Sequence, residues 1–326
     1  MNRAVTPPGV PRYAAELLRR CTRMFITVAR IMLPVMAVVY AAERLGWVAQ
    51  VGQLLAPAMG LLGLPPEAAL IWATTVLTNL YGGIAIVATL AGDLQLTVAQ
   101  MSALGAMMLF AHNLPTEQAI VRKAGGSALL TGSLRLLVGA GFGAAVTAVC
   151  RLAGWLQQPV SLTWLQGAGS TGSGTPDVWH WLLATAQSMG MVWLIIVALV
   201  LLLDALEWLG VTRLLTRLLD PVLRVTGLEP NAAPLTTVGL LLGLTYGGAL
   251  IIDASQREPY SRRTLLLATC WLSLFHSVIE DTVLIAALGA NVWIILVVRG
   301  VVTLAIMVTL AALTRPHTRW GRRLAA

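Results

Sequence analysis

The sequence predicts an all-α polytopic membrane protein made of two inverted-topology repeats, each with transmembrane helices, a re-entrant hairpin and a broken helix. The first observation behind this prediction is composition: 57% of the 326 residues are hydrophobic, 11% are charged and the mean hydropathy is +0.79. Water-soluble chains carry about 25% charged residues. The long apolar stretches exceed the roughly 10-residue strands of membrane barrels and suit helices, which satisfy their own backbone hydrogen bonds in lipid.

The second observation is an internal repeat, in which the second half of the chain matches the first at a nearly constant offset. Apolar segments align easily by chance, but polar residues that keep one order and nearly one offset do not. The matches are residues 43–46 with 207–210, residues 54–57 with 218–221, residues 81–83 with 246–248, His112 with His276, Glu117 with Asp281, and Arg135 with Arg299.

The third observation is the distribution of arginine. Stretches 45–65 and 91–97 of the first repeat contain no Lys or Arg, whereas the matching stretches of the second repeat are rich in arginine. By the positive-inside rule, the arginine-bearing stretches are cytoplasmic and their neutral counterparts are periplasmic. We therefore expect the halves to face opposite ways across a bacterial inner membrane, with both termini cytoplasmic. The arginines concerned are Arg213, Arg217, Arg224, Arg257, Arg262 and Arg263.

This topology divides the chain into repeats and connecting segments. Repeat 1 is predicted at 24–153 and repeat 2 at 181–314, with a cytoplasmic N-terminal segment at 1–23, a periplasmic linker at 154–180 and a basic cytoplasmic tail at 315–326. Six spans are expected at 24–42, 97–122, 128–150, 181–203, 263–287 and 291–313. Two hairpins are expected at 68–90 and 232–252, with tips near 79–83 and 245–248.

Polar residues gather at the hairpin tips and in the two broken helices, near the predicted middle of the membrane. Pro115 removes a backbone donor and disfavours helix before it, so the span at 97–122 is predicted to break there. Irregular backbone at this depth is tolerated around a polar cavity or inside the protein, as at transporter binding sites. The candidate substrate-binding residues are Asn79, Tyr81, His112, Asn113, Thr116 and Glu117 in repeat 1 and Thr245, Tyr246, His276, Ser277, Glu280 and Asp281 in repeat 2.

Two interpretations of the charged residues stay open. Glu117 precedes Arg135 by the same interval that separates Asp281 from Arg299. An arginine inside the membrane costs about 2.5–3.5 kcal/mol on insertion scales, so each carboxylate is a natural ion-pair partner. Alternatively, the carboxylates bind a proton, a sodium ion or a substrate donor, while the arginines hold a substrate anion or line the cavity.

The duplicated Tyr-Gly-Gly segment and the broken helix with its His and Glu resemble the nucleoside-recognition, or Gate, family of bacterial and archaeal membrane proteins. The resemblance covers residues 25–313 and implies kinship with concentrative nucleoside transporters and with the gate regions of ferrous-iron transporters. In the nucleoside transporters, hairpins and unwound helices bind the ligand, and Pro115-Thr116-Glu117 and His276-Ser277 are similar in kind. The iron-transporter gates have a cysteine where this chain has Gly83 and Gly248.

The leading hypothesis is a gradient-driven transporter of a small polar solute, nucleoside-like by resemblance, that works by alternating access. The sequence contains no Walker loop, His-Glu-x-x-His or Gly-x-Ser-x-Gly motif, so we expect neither an enzyme nor a cofactor beyond a coupling proton or sodium ion. The expected partners are the substrate and the lipid bilayer, with a homo-oligomer left open. The net charge of +8 lies in short loops and is not taken as a sign of nucleic-acid binding.

Three other functions remain open. A divalent metal cation would be bound by His112, Glu117, His276 and Asp281, because imidazole and carboxylate together suit borderline metals. An organic anion would instead be held by Arg135 and Arg299. Outside transport, the chain would be a membrane subunit whose buried polar residues serve assembly.

Overall fold

The computed structural model describes residues 10–92, 94–162, 164–165, 178–229, 232–244, 251–252, 260–315 and 318. These residues form helices and connecting loops, with no β-strand among them. The α-helices are α1 (Val10–Arg44), α2 (Trp47–Leu61), α3 (Ala68–Leu77), α4 (Leu80–Leu90), α5 (Val98–Phe110), α6 (Leu114–Lys123), α7 (Ala128–Ala153), α8 (Val178–Trp208), α9 (Val211–Val225), α10 (Ala233–Leu242), α11 (Arg262–Leu274), α12 (Glu280–Ala287) and α13 (Arg299–Leu313). A π-helical segment, Trp293–Val298, leads directly into α13.

Three helices in the described part of the chain are long and apolar enough to cross a membrane: Ala128–Ala153, Trp181–Leu206 and Trp293–Leu313. Each overlaps a span predicted from the sequence. A helix of about 20 residues covers about 30 Å, the thickness of the hydrocarbon core. The all-α, multi-pass membrane class is therefore confirmed.

The first helix begins earlier than predicted. Helix α1 runs from Val10 to Arg44 and takes in much of the segment at 1–23 that the sequence left as a separate cytoplasmic piece. Its N-terminal part is tied to α8, because Arg20 Nη1 lies 2.9 Å from Asp204 Oδ1 and the Tyr13 hydroxyl donates to Asp204 Oδ2 at 2.9 Å. These two groups supply the partners that the buried Asp204 carboxylate requires.

The predicted span at 97–122 is interrupted, as Pro115 indicated. Helix α5 ends at Phe110 and α6 begins at Leu114, with Pro115 in its first turn, where a missing N–H costs nothing. Asn113 between them has a left-handed backbone, with φ of 49°.

The span at 263–287 breaks without a proline. Helix α11 ends at Leu274 and α12 begins at Glu280, and Ser277 between them has φ of 48°. Few non-glycine residues adopt this conformation. Asn113 and Ser277 are separated by the same offset as His112 and His276, so the two breaks share one backbone geometry.

Other local conformations recur at the same offset. Helices α2 and α9, and likewise α5 and α11, have bounds that differ by this offset at both ends. Three glycine pairs have positive φ at matching positions: Gly46 and Gly210, Gly63 and Gly227, and Gly125 and Gly289. The sequence offset therefore has a counterpart in backbone structure.

Helices α3 and α4 pack against each other, joined by Thr78 and Asn79. The Asn79 side chain accepts from the Gly82 backbone N–H at 2.9 Å and so caps α4. A methyl group on Gly83 would overlap the Thr75 hydroxyl, and one on Gly82 would overlap the Thr78 hydroxyl. The paired glycines thus allow close approach of two helices and do not supply a left-handed turn.

Several predicted segments lie partly or wholly outside the described residues. Helix α10 lies within the segment at 232–252 where a hairpin is predicted, but the predicted tip at 245–248 is not among the described residues. The same holds for residues 166–177 of the linker and for most of the tail beyond residue 315.

Candidate functional site

Two buried histidines meet where the broken helices α5–α6 and α11–α12 approach each other. His112 lies two residues beyond α5 and His276 lies two residues beyond α11, and both are almost fully buried. Their Nε2 atoms are 2.9 Å apart, and the ring centroids are separated by 4.8 Å. Residues from the two halves of the chain therefore form one polar centre.

Backbone carbonyls determine the tautomer of each ring. His112 Nδ1 lies 3.0 Å from the Met108 carbonyl oxygen, and His276 Nδ1 lies 2.6 Å from that of Leu272. A carbonyl only accepts, so each Nδ1 carries the proton and each neutral ring presents a lone pair at Nε2. Two lone pairs at 2.9 Å repel unless a cation, either a shared proton or a metal ion, is held by them.

Glu117 places a carboxylate beside both histidines. Its Oε1 lies 3.3 Å from His276 Nε2 and 3.5 Å from His112 Nε2, while its Oε2 accepts from the Arg135 guanidinium. Glu117 is in the first turn of α6, whose free backbone N–H groups favour a negative charge. One oxygen is therefore committed to the arginine and the other faces the histidines.

Arg135 on α7 is fully buried and fully bonded. Besides Glu117, it donates from Nε to the Phe110 carbonyl at 2.6 Å and from Nη2 to the His112 carbonyl at 2.8 Å. These carbonyls lie at the C-terminal end of α5, where the helix leaves acceptors free. The arginine thus closes the end of α5 and fixes the backbone of His112.

Asp281 supplies the second carboxylate, from the first turn of α12. Its Oδ2 lies 3.6 Å from His112 Nε2, and one donor atom each of His112, His276 and Asp281 lie within 4.8 Å of one another. The neighbouring Glu280 accepts a hydrogen bond from the Tyr81 hydroxyl at 3.1 Å. Tyr81 is on α4, so this bond joins the first half to the second.

Arg299, the counterpart of Arg135, has different surroundings. It is also fully buried, but none of its three guanidinium nitrogens has a hydrogen-bond partner among the described residues. Its guanidinium carbon lies 4.7 Å from the ring centre of Phe275 and 5.8 Å from that of Phe110. The ion pair that the equal spacing suggested is formed by Arg135, and Arg299 forms none with any residue that the structure describes.

The other predicted residues fall outside this cluster or outside the described residues. Thr116 is exposed, and Asn79 is engaged as a helix cap. Asn113 and Ser277 shape the two helix breaks through their backbones, and the Asn113 N–H donates to the Thr75 carbonyl at 3.0 Å. Thr245 and Tyr246 lie outside the described residues.

Sequence reasoning missed Phe110 and Phe275, whose rings face Arg299, because apolar residues in apolar helices give no signal. It also missed the bond between Tyr81 and Glu280, since a hydrogen bond between residues so far apart in the chain leaves no trace in spacing. The π-helical segment before Arg299 was likewise not indicated.

Fold and site together define a polytopic all-α membrane protein with a charged cluster buried among its helices. The chain is 31% identical over 297 residues to the uncharacterized membrane protein YvoD of Bacillus subtilis (strain 168), and the alignment covers 87% of this chain and 89% of that protein. It belongs to the family of that membrane protein. No family model matches the chain, so the resemblance to the Gate family is not confirmed, and no solved structure matches it.

Proposed function

We propose that the protein transports a divalent transition-metal cation across the bacterial inner membrane by alternating access, with the ion bound by His112, His276, Glu117 and Asp281. The observation that carries the proposal is the pair of facing Nε2 lone pairs, flanked by two carboxylates. No other described group in the cluster satisfies both nitrogens at once. A cation does so directly.

The donor spacings are close to those around a single bound ion. Zinc lies about 2.0–2.2 Å from imidazole nitrogen and carboxylate oxygen, so two ligands of a tetrahedral zinc ion stand about 3.3–3.6 Å apart. The distances from His112 Nε2 to His276 Nε2, Glu117 Oε1 and Asp281 Oδ2 are 2.9, 3.5 and 3.6 Å. The two imidazoles favour borderline metals such as zinc, iron or nickel over calcium or magnesium.

The outer contacts are those expected of metal ligands. A metal-binding histidine usually donates its other ring N–H to a carbonyl or carboxylate, which fixes the ring and raises its basicity. His112 and His276 both donate from Nδ1 to carbonyls of their own helices. Arg135 orients Glu117 in the same way, from outside the donor set.

A nucleoside fits this geometry less well. Small-molecule sites enclose about 300–1,000 Å³. The cavity beside Tyr81, lined mainly by apolar residues of α4, α8 and α12, has a volume of about 10 Å³. The Tyr81 hydroxyl is engaged with Glu280, so it is not free to bond a ligand.

Transport is proposed because the site is assembled from matching parts of two halves. Transporters with inverted repeats bind substrate near mid-membrane, at the repeat interface, using broken helices. His112 and His276, each just after the first piece of a broken helix, fit that arrangement. In this proposal the repeats are inverted, the pair α3–α4 and the segment at 232–252 are re-entrant hairpins, and both termini are cytoplasmic.

A proton is the proposed coupling ion. Without metal, the two Nε2 atoms at 2.9 Å can share one proton, which a metal must displace. Loading the site from one side therefore releases a proton, and unloading it on the other side takes one up. This makes metal and proton alternative occupants of one position.

The experiment is metal binding and flux with purified protein. Wild type in detergent should bind Zn²⁺, Mn²⁺ and Co²⁺ at one site by calorimetry, and should release protons into a weakly buffered medium as it does so. His112→Ala and His276→Ala should each abolish binding, while His180→Ala, a change of the same type on α8, controls for loss of an imidazole. In liposomes, wild type should fill an internal metal-sensitive dye and the two site variants should not. Binding unaffected by both site variants would exclude this site.

A further inference from the structure

Arg299 is an unexplained feature of the buried centre. A buried ion without hydrogen bonds costs several kcal/mol, so such a group needs a reason. The two nearby phenyl rings offer cation–π attraction, which offsets part of that cost but leaves the guanidinium N–H groups without a described acceptor.

The bonds of Arg135 show which acceptors a buried arginine at this position can use. It bonds the carbonyls of Phe110 and His112 and the carboxylate of Glu117. The residues at the same offset in the second half are Leu274, His276 and Asp281. Asp281 lies near His112 instead, where it faces the proposed metal position.

The helix before each arginine explains the difference. Residues 129–134 belong to the regular α-helix α7, whereas the matching residues Trp293–Val298 are π-helical. A π-turn spans one residue more than an α-turn, so it rotates the residues that follow it. Arg299 is therefore turned away from the orientation that Arg135 has, and short π segments are often found at functional sites.

We propose that Arg299 is the internal counter-cation of the transport cycle, which takes Asp281 from the metal when the ion leaves and gives it back when the ion binds. This inference rests on the proposed function. In the state described here, Asp281 faces the histidines and Arg299 has no ion-pair partner among the described residues. In the opposite state the Trp293–Val298 segment becomes α-helical and Arg299 pairs with Asp281, as Arg135 pairs with Glu117.

The consequence is competition between two cations for one carboxylate. A binding site made only of attractive groups would hold the ion too tightly to release it. A guanidinium that can replace the ion at Asp281 lowers metal affinity and supplies the partner that the carboxylate needs once the ion is gone. Arg135 cannot take this part, because its three bonds hold Glu117 and the α5 carbonyls in place.

The test compares metal affinity and flux in Arg299 variants with those in wild type, using Zn²⁺ as the probe. Arg299→Gln should bind Zn²⁺ about 10-fold more tightly, since the cation that competes with the metal for Asp281 is removed in a medium of low dielectric constant. It should also transport more slowly, because release is impaired. Arg299→Lys keeps the charge and should retain near wild-type affinity. Arg299→Met is a second neutral variant in case the glutamine protein is unstable.

A second comparison assigns the effect to the shared carboxylate. In an Asp281→Asn background, Arg299→Gln and Arg299→Met should no longer tighten Zn²⁺ binding, because there is no carboxylate to compete for. If wild type binds Zn²⁺ and neither neutral variant binds it more tightly, this inference is wrong while the proposed function stands. If wild type binds no metal at one site, the proposed function itself is wrong.

Discussion

The two halves of the molecule hold the same charged pair at the same spacing and use it differently. In the first half, Arg135 is bonded to Glu117 and to two carbonyls at the end of α5. In the second half, Arg299 is equally buried but has no hydrogen bond within the described part of the chain. Equal spacing of charges along a sequence therefore does not ensure that both pairs form in the folded protein.

The largest expected difference between the halves is in stability. Arg135→Gln removes three hydrogen bonds and leaves the buried Glu117 carboxylate without its cation, so it should lower the free energy of unfolding by about 3–5 kcal/mol. Arg299→Gln removes a buried charge that has no hydrogen bond to a described residue, so it should not lower that free energy and should raise it if the charge is unpaired. Thermal unfolding of both variants in one detergent with Zn²⁺ present measures the contrast. Equal losses in the two variants would mean that the halves are alike and that Arg299 is bonded.

A smaller difference is expected at the two helix breaks. Ser277 and Asn113 both have left-handed backbones, which cost a residue with a side chain about 1–2 kcal/mol, and asparagine tolerates them better than serine does. Ser277→Gly should therefore raise the melting temperature, and Asn113→Gly should raise it by less. Ser273→Gly, the same change inside α11, should lower it because glycine weakens helices by about 1 kcal/mol. A lower melting temperature for Ser277→Gly would show that the serine side chain stabilises the break.

The smallest expected effect depends on pH and belongs to the second half alone. Glu229 lies between the spans predicted at 181–203 and 263–287, and its carboxylate accepts hydrogen bonds from the hydroxyls of Ser261 and Thr264 at 2.7 Å. The bond from Ser261 holds the pKa of Glu229 below its usual range. The matching residue of the first half is Pro65, and there Thr97 exchanges its capping bonds with Gln100.

A carboxyl whose pKa is lowered in the folded state stabilises that state at neutral pH, and the contribution is lost as the pH falls through the lowered pKa. Glu229→Gln should therefore have a slightly lower melting temperature than wild type at pH 7, because its free energy of unfolding is lower by less than about 1 kcal/mol. The melting temperatures of Glu229→Gln and wild type should converge as the pH falls below the usual range of carboxyl pKa values. Glu67→Gln, at an exposed carboxylate before α3, controls for loss of one surface charge. A gap between Glu229→Gln and wild type that does not change with pH would contradict this explanation.

Much of the fold could be predicted because lipid imposes simple rules. Span length, apolar composition and the break before Pro115 all follow from the need to bond every backbone group. The break at Ser277 could not be placed in detail, because no proline marks it and the left-handed turn depends on packing against α10. The same applies to α1, whose early start is stabilised by Asp204, a residue of a distant helix.

The candidate site was predictable in membership and not in arrangement. The repeat brought His112, His276, Glu117 and Asp281 to attention because polar residues are rare in such a chain. That the two rings face each other through Nε2 depends on the carbonyls that Nδ1 of each ring meets in the preceding helical turn, and backbone acceptors have no sequence signature. The different surroundings of the two arginines gave no sequence signal, and neither did the π-helical segment before Arg299, whose residues are all apolar.

A main-chain hydrogen bond also joins each broken helix to a neighbouring helix. The Asn113 N–H donates to the Thr75 carbonyl of α3 at 3.0 Å, and the Val278 N–H donates to the Leu240 carbonyl of α10 at 3.1 Å. One bond lies next to His112 and the other two residues beyond His276. Each bond ties the backbone beside a site histidine to another helix without any side chain, so it should survive most substitutions and be lost only where proline removes the N–H.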